Sequence, residues 1–207
     1  MPYGLGQQND VSIEDISNID KASEIGIDAK LGITSSLNLD MTYNTDFAQV
    51  EVDEQQINLD RYSLFFPEKR TFFLENAGLF SVGENTYYGP DIEMFFSRNI
   101  GIGSGGEQVP ILGGARLTGA LAGMKVGMLS MRTKAVEDVT NSNNYSVFRL
   151  RKELPNRTSF GFIATDRTGL EDDGYTNRAY AIDGTLGIGE STQLIGFAAK
   201  TDPPPGI

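Results

Sequence analysis

The chain has 207 residues with 24 glycines and 8 prolines, which suits one turn-rich β domain and argues against a helical bundle. Its formal net charge of -11 argues against nonspecific nucleic-acid binding, because phosphate would be repelled. Without cysteine or histidine, the chain has no disulfides, no thiolate or histidine zinc site, and no Ser-His-Asp or Cys-His catalytic machinery.

The first predicted element is a hairpin over 25–33 and 37–44. Apolar and polar side chains alternate in both runs, as they do in a strand with one apolar face and one polar face. The same pattern returns in three more pairs of runs joined by short turns: 111–121 with 124–134, 145–153 with 159–166, and 178–188 with 192–201.

Short turns alternate with the longer connections 45–110, 135–144 and 167–177. This order is typical of an antiparallel up-and-down β-barrel, and the sequence predicts an all-β fold with about eight strands. We expect the barrel to be incomplete, because no closing aromatic strand follows the last run and the chain ends on 203–207. Alternation does not tell whether the apolar side faces lipid or a packed core.

An aromatic-rich segment, 45–110, interrupts this pattern within a single predicted domain over 1–207. Of the 12 Phe and 8 Tyr residues, most lie between Tyr43 and Phe96. Buried aromatic side chains favour compact packing, so the sequence predicts that this segment is a plug or cap of the barrel rather than a flexible loop. Its candidate plug or ligand residues are Phe65, Phe66, Glu68, Lys69, Arg70, Phe72, Phe73 and Glu75, whose charges we expect to pair locally.

Charged and polar side chains on the wet faces of the strands would line the lumen of a membrane barrel. The candidates are Asp28, Lys30, Asp40, Arg116 and Thr118, together with Arg149, Arg151 and Asp183. Because unpaired buried charge is costly, the sequence favours interlocked charge pairs over an open water path.

Three stretches carry a family resemblance: DFAQVEVDEQQINLDRYSLFFPEKRTFFLENAGLF at 46–80, FFSRNIGIG at 95–103 and PILGGARLTG at 110–119. From about Gly26 onward the chain resembles an uncharacterised bacterial outer-membrane β-barrel domain. That domain commonly follows a module similar to family 9 carbohydrate-binding modules. The resemblance implies an outer-membrane location and an upstream module that these residues do not include, and it implies no settled activity.

Catalytic and metal-binding alternatives have weaker patterns. Two carboxylates can cleave a glycoside, and the candidates would be Glu51, Asp53, Glu68 and Glu75. The acidic runs 171–174 and 46–54 could offer oxygen ligands to Ca²⁺, but neither has EF-hand spacing. The run GIGSGG at 101–106 lacks the Gly-Lys-Ser/Thr of a phosphate loop. We therefore expect no enzyme, cofactor or metal site.

The sequence predicts a non-enzymatic outer-membrane β-barrel fragment that serves as an envelope anchor or solute passage. The alternative is a soluble β-barrel or sandwich that binds a small ligand or glycan. Expected partners are the lipid bilayer and the upstream carbohydrate-binding-like module. A second copy of the chain could also pair with the unpaired edge strands of the sheet. Residues 1–10 show no export signal, so the signal would lie upstream.

Overall fold

A computed structural model describes residues 26–44, 68–86, 89–103, 106–171 and 175–204. The strands are β1 Ile27–Thr34, β2 Leu37–Tyr43, β3 Val82–Thr86, β4 Gly89–Ile92, β5 Ile111–Leu121, β6 Met124–Thr133, β7 Asn143–Leu154, β8 Thr158–Gly169, β9 Thr176–Ile188 and β10 Thr192–Asp202. The helical elements are short: α1 Thr71–Leu74 and two 3₁₀ turns, Ala77–Phe80 and Ser97–Asn99. No helix in this part of the chain is long and apolar enough to cross a membrane.

Eight strands form one antiparallel sheet in the order β1-β2-β5-β6-β7-β8-β9-β10. The predicted all-β class, eight main strands and up-and-down order are therefore confirmed. The sheet is not closed into a barrel, because among the described strands β1 and β10 each pair on one side only. The long segment before β5 adds a separate two-stranded hairpin, β3 with β4, which the alternation of the sequence did not predict.

Tight turns join the strands at one end of the sheet, which we call the turn end; the longer connections lie at the opposite end, the loop end. At the β5–β6 turn, Ala122 and Gly123 have φ angles of 51° and 71°. Two successive positive φ angles characterise a type I′ turn, whose twist matches the twist of paired strands. This turn explains why the two runs pair in register from Leu121 and Met124 onward.

Strand alternation divides the sheet into two faces of opposite character. One row straight across the sheet contains Lys30, Asp40, Arg116, Leu129, Val147, Thr165 and Ala179, and we call its side the covered face. The neighbouring row contains Leu31, Leu39, Leu117, Met128, Phe148, Ala164, Tyr180 and Lys200, and we call its side the open face.

Residues 68–86 and 89–103, here named the covering segment, pack onto the covered face. Its buried Phe73, Phe80, Val82 and Ile100 form one hydrophobic cluster with sheet residues Ile111, Leu129, Met131, Val147, Ile163 and Ala181. The Phe80 and Phe95 rings meet edge to face, with centroids 5.6 Å apart. The core of the protein thus lies between the sheet and this segment, on the side that also carries the charges.

The covering segment approaches the backbone of β6 closely at Gly127. A Cβ atom at this position would lie 2.8 Å from Leu79 Cδ2 and 3.0 Å from Phe80 Cε1. A Cβ atom this close would force the ends of the Leu79 and Phe80 side chains to shift, so the lack of a side chain at residue 127 lets the first 3₁₀ turn pack closely on β6.

Gly127→Val should loosen the covering segment, because both branches of the new side chain would occupy the space of Leu79 and Phe80. Gly196→Val is the matched control, since nothing lies within 4 Å of the Cβ position of that strand glycine. Limited trypsin digestion measures the effect at exposed Lys69: we expect faster cleavage there in Gly127→Val only. Equal rates in both variants would contradict the contact.

Candidate functional site

The five predicted lumen residues lie together on the covered face. Cross-strand register places Lys30 beside Asp40 and Asp40 beside Arg116, while Asp28 is paired with Thr42. Thr42 donates to Asp28 Oδ1 at 2.6 Å. Their predicted companions Arg149, Arg151 and Asp183 share the same face.

Arg116 is the most connected side chain of this group, although only 1% of it is exposed. Its Nη2 donates to Asp40 Oδ2 at 2.7 Å and to Glu75 Oε2 at 3.1 Å. Its Nη1 donates to the carbonyl oxygens of Phe72 and Glu75, the latter at 2.6 Å. The guanidinium therefore joins β2, β5 and α1 in one contact.

Those two carbonyls are at the C-terminal end of α1, where no helical partner is available to them. A cation at this end satisfies the free carbonyls and complements the helix dipole. Lys30 forms a second ion pair with the same Glu75 carboxylate. Hydrogen bonding from Lys30, together with the nearby Arg116 charge, lowers the pKa of Glu75.

A second buried ion pair crosses β8 on the covered face. Arg149 on β7 is fully buried and holds both oxygens of Asp183 on β9, with Nη2 2.8 Å from Oδ2. Gly161 on the intervening strand makes this possible: a Cβ there would lie 2.6 Å from Arg149 Nη1 and 2.7 Å from Asp183 Oδ1. The pair therefore lies flat on the bare backbone of Gly161.

The third cluster is internal to the covering segment. Arg70 binds the Glu68 carboxylate through Nε at 2.8 Å and Nη2 at 2.7 Å, and Ser97 donates to the same carboxylate at 2.6 Å. Arg70 also donates to the carbonyl oxygens of Ile100 and Ser97. It lies over the Phe73 ring at 4.2 Å. This clamp holds the second 3₁₀ turn against the start of α1.

Burial alone would raise the pKa of Glu68, but the hydrogen bonds and charge of Arg70 and the Ser97 hydroxyl outweigh it and lower the pKa. Glu68 is therefore held as a carboxylate. Glu68 forms an ion pair with Arg70, whereas Glu75 forms ion pairs with Lys30 and Arg116. Both carboxylates are thus bound by basic side chains.

Three other predicted site residues, Lys69, Phe72 and Thr118, differ in their exposure and contacts. Lys69 is exposed, Phe72 is half-buried under the Arg116 guanidinium at 4.9 Å, and Thr118 accepts a hydrogen bond from Asn76 at 3.3 Å. The remaining candidates Phe65, Phe66, Glu51 and Asp53 lie outside the described residues.

No group of three or more acidic side chains able to hold a metal ion occurs within the described ranges. Residues 172–174 of the acidic loop and the 46–54 run lie outside them. Glu171 accepts a hydrogen bond from the Ser142 amide at 3.4 Å. In the glycine run, the Gly103 and Gly106 amides bind the carbonyl oxygens of Glu107 and Gly103, so these donors are used within the loop.

Sequence reasoning did not anticipate the two glycines beneath the charges and the covering segment. Gly127 and Gly161 stand at covered-face positions in the alternation, next to arginines across the strand. A glycine where alternation predicts a lumen-facing side chain is the signal that marks a close approach.

Gly161→Ala should destabilise the protein by about 1–3 kcal/mol, because its methyl group would push the buried Arg149 and Asp183 out of two-point contact. The control Gly196→Ala has open space around it and should be neutral or slightly stabilising, since alanine restricts the unfolded chain. Urea unfolding of the refolded variants measures both values. A Gly161→Ala variant as stable as Gly196→Ala would contradict the role of the bare backbone.

Because the folded pKa of Glu68 lies below its ordinary value of 4.5, its stabilisation is complete above that value and lost as the pH falls through the folded pKa. The melting temperature should therefore fall on acidification below about pH 4.5, and Glu68→Gln should lower it at pH 7 and flatten its acid dependence. The exposed carboxylate of Glu137 gives the control Glu137→Gln. Identical acid profiles for both variants would refute the clamp.

Part of the chain is similar to a known protein family. A family model described as a domain of unknown function, DUF5916, matches residues 1–110. No curated protein and no solved structure matches the chain. The match covers half of the sequence, including α1 and the rest of the covering segment. The chain belongs to the DUF5916 family.

Proposed function

We propose that this domain is part of the wall of a bacterial outer-membrane β-barrel and that it acts as a non-enzymatic envelope anchor. The observation that carries the proposal is the sidedness of the sheet. Arg116 and Arg149 are enclosed, whereas Ile182 and Leu194 on the open face are 60% and 63% exposed. In a soluble domain the uncovered face of such a sheet would be mainly polar, since burying apolar surface is the main force that folds soluble domains.

The exposed apolar side chains form a surface rather than scattered points. Its members include Ile27, Leu31, Ile33, Leu121, Met128, Phe160, Phe162, Ile182, Leu186, Ile188 and Leu194. An apolar groove of about 450 Å³ runs between them, partly lined by Leu39, Leu117 and Phe148. Contiguous apolar surface of this extent marks contact with a protein or a membrane, and a barrel wall meets lipid acyl chains in this way.

The apolar surface ends at polar side chains near both ends of the sheet. At the loop end these are Arg132, Asn144, Asp166, Thr168, Arg178, Lys200 and Asp202. At the turn end Lys152 binds the carbonyl oxygen of Gly123. Along β9 the outward positions from Ile188 to Tyr180 span about 27 Å, or roughly 21 Å across a bilayer at a 40° tilt. This height is close to that of the apolar band of outer-membrane barrels, about 25 Å.

The covered face supports an anchor rather than an open passage. Its most buried arginines, Arg116 and Arg149, are paired with Asp40 and Asp183, and the covering segment packs over this face with aromatic side chains. An ion path would need hydrated, unpaired groups along the wall. The expected location is therefore the outer membrane, with the bilayer as the main partner. The upstream carbohydrate-binding-like module and pairing through sheet edges stay predictions.

Tryptophan fluorescence offers a direct test, because the chain contains no tryptophan. Phe162→Trp places a reporter on the open face, and Phe72→Trp places one in the covering segment. After refolding into phosphatidylcholine vesicles with brominated acyl chains, the first reporter should be strongly quenched and the second should not. Both substitutions keep an aromatic ring, so the variants are matched.

The alternative is a soluble barrel or sandwich that binds a small ligand or glycan. It would give a protein that does not float with vesicles and two reporters with equal quenching. Stronger quenching at Phe72→Trp than at Phe162→Trp would overturn the assignment of faces. The alternative requires the apolar side chains to be enclosed, and the exposure of Phe160 and Ile182 favours the membrane proposal.

A further inference from the structure

A polar pocket of about 340 Å³ lies at the loop end of the sheet, on the covered side and away from the buried ion pairs. Its lining includes Asn99, Val139, Thr140, Tyr145 and Arg167. These residues come from the end of the covering segment, the β6–β7 connection and strands β7 and β8. Among the described residues that line this pocket, Arg167 is the one with a charged side chain.

Arg167 is held in position by its neighbours. Its Nε donates to Asn143 Oδ1 at 3.1 Å, and Asn143 is buried at the start of β7. The rings of Tyr145 and Tyr175 lie 5.3 and 5.1 Å from the guanidinium carbon. Cation–π contacts of this kind orient a guanidinium while leaving the donors at its edge available.

In the described part of the chain, no carboxylate forms a salt bridge with Arg167. Among the described residues neither terminal nitrogen of Arg167 has a hydrogen-bond partner, and no salt bridge reaches it. The adjacent Asp166 faces the opposite side of the sheet, where it binds Arg178 at 2.7 Å. By contrast, the equally basic Arg116 and Arg149 each hold a carboxylate directly.

We propose that this pocket binds a small oxyanion, a carboxylate or a phosphate group, through the two terminal nitrogens of Arg167, which have no hydrogen-bond partner among the described residues. A planar guanidinium accommodates both oxygens of such a group in a two-point hydrogen bond. Thr140 and Asn99 add polar side chains beside it. The polar lining selects a hydrophilic ligand and excludes an acyl chain. The inference goes beyond the anchor role and holds whether or not the open face contacts lipid.

Isothermal titration of the refolded full chain with inorganic phosphate and, separately, with succinate tests the proposal. We expect saturable binding of at least one probe. Binding of phosphate alone would identify a phosphate site, and binding of succinate alone a carboxylate site. Arg167→Gln should weaken the affinity by roughly tenfold or more, and Arg167→Lys should weaken it less, because it keeps the charge but not the planar fork.

Arg178→Gln is the matched control, since it removes an arginine of the neighbouring strand on the open face and should leave the affinity unchanged. Val139→Phe should fill part of the pocket from the β6–β7 connection and should abolish binding while circular dichroism shows an intact sheet. Two results would overturn the proposal: no saturable binding of either probe up to about 10 mM, or equal affinities in the wild type and Arg167→Gln.

Discussion

The buried Arg116 guanidinium is the constraint on which the other features depend. A charge taken out of water destabilises the folded state by several kcal/mol unless it is paired and hydrogen-bonded. Here the partners come from β2 and from the end of α1, so neutralising one side chain joins the first hairpin, the main sheet and the covering segment. The position of the covering segment follows from this requirement as much as from its aromatic packing.

The covered face is stabilised both by hydrophobic packing and by buried ion pairs. Near the loop end and centre, Phe73, Met131 and Ile163 pack as in an ordinary core. Beside them lies the ion pair of Arg149 with Asp183, which links β7 to β9 across a glycine. These interactions all lie on the covered face. The open face takes no part in them and is left exposed.

Much of this arrangement could be predicted from local pattern, because strand alternation has a period of two and short turns set the register. The hairpin runs and the shared face of Asp40, Arg116 and Thr118 followed from it directly. The direction of the faces could not, since alternation is symmetric. Nor could the roles of Gly127 and Gly161, which depend on side chains from distant parts of the chain.

The connection between β2 and β5 also bears on how the chain folds. From β5 to β10 every strand pairs with its sequence neighbour, so these six strands can zip together hairpin by hairpin. Pairing of Tyr43 with Gly113 instead closes a loop of about 70 residues. Closing it costs about 2.5 kcal/mol more chain entropy than a four-residue turn. The β1–β2 hairpin should therefore dock late, onto a sheet already formed, and the contacts of Arg116 would complete the assembly.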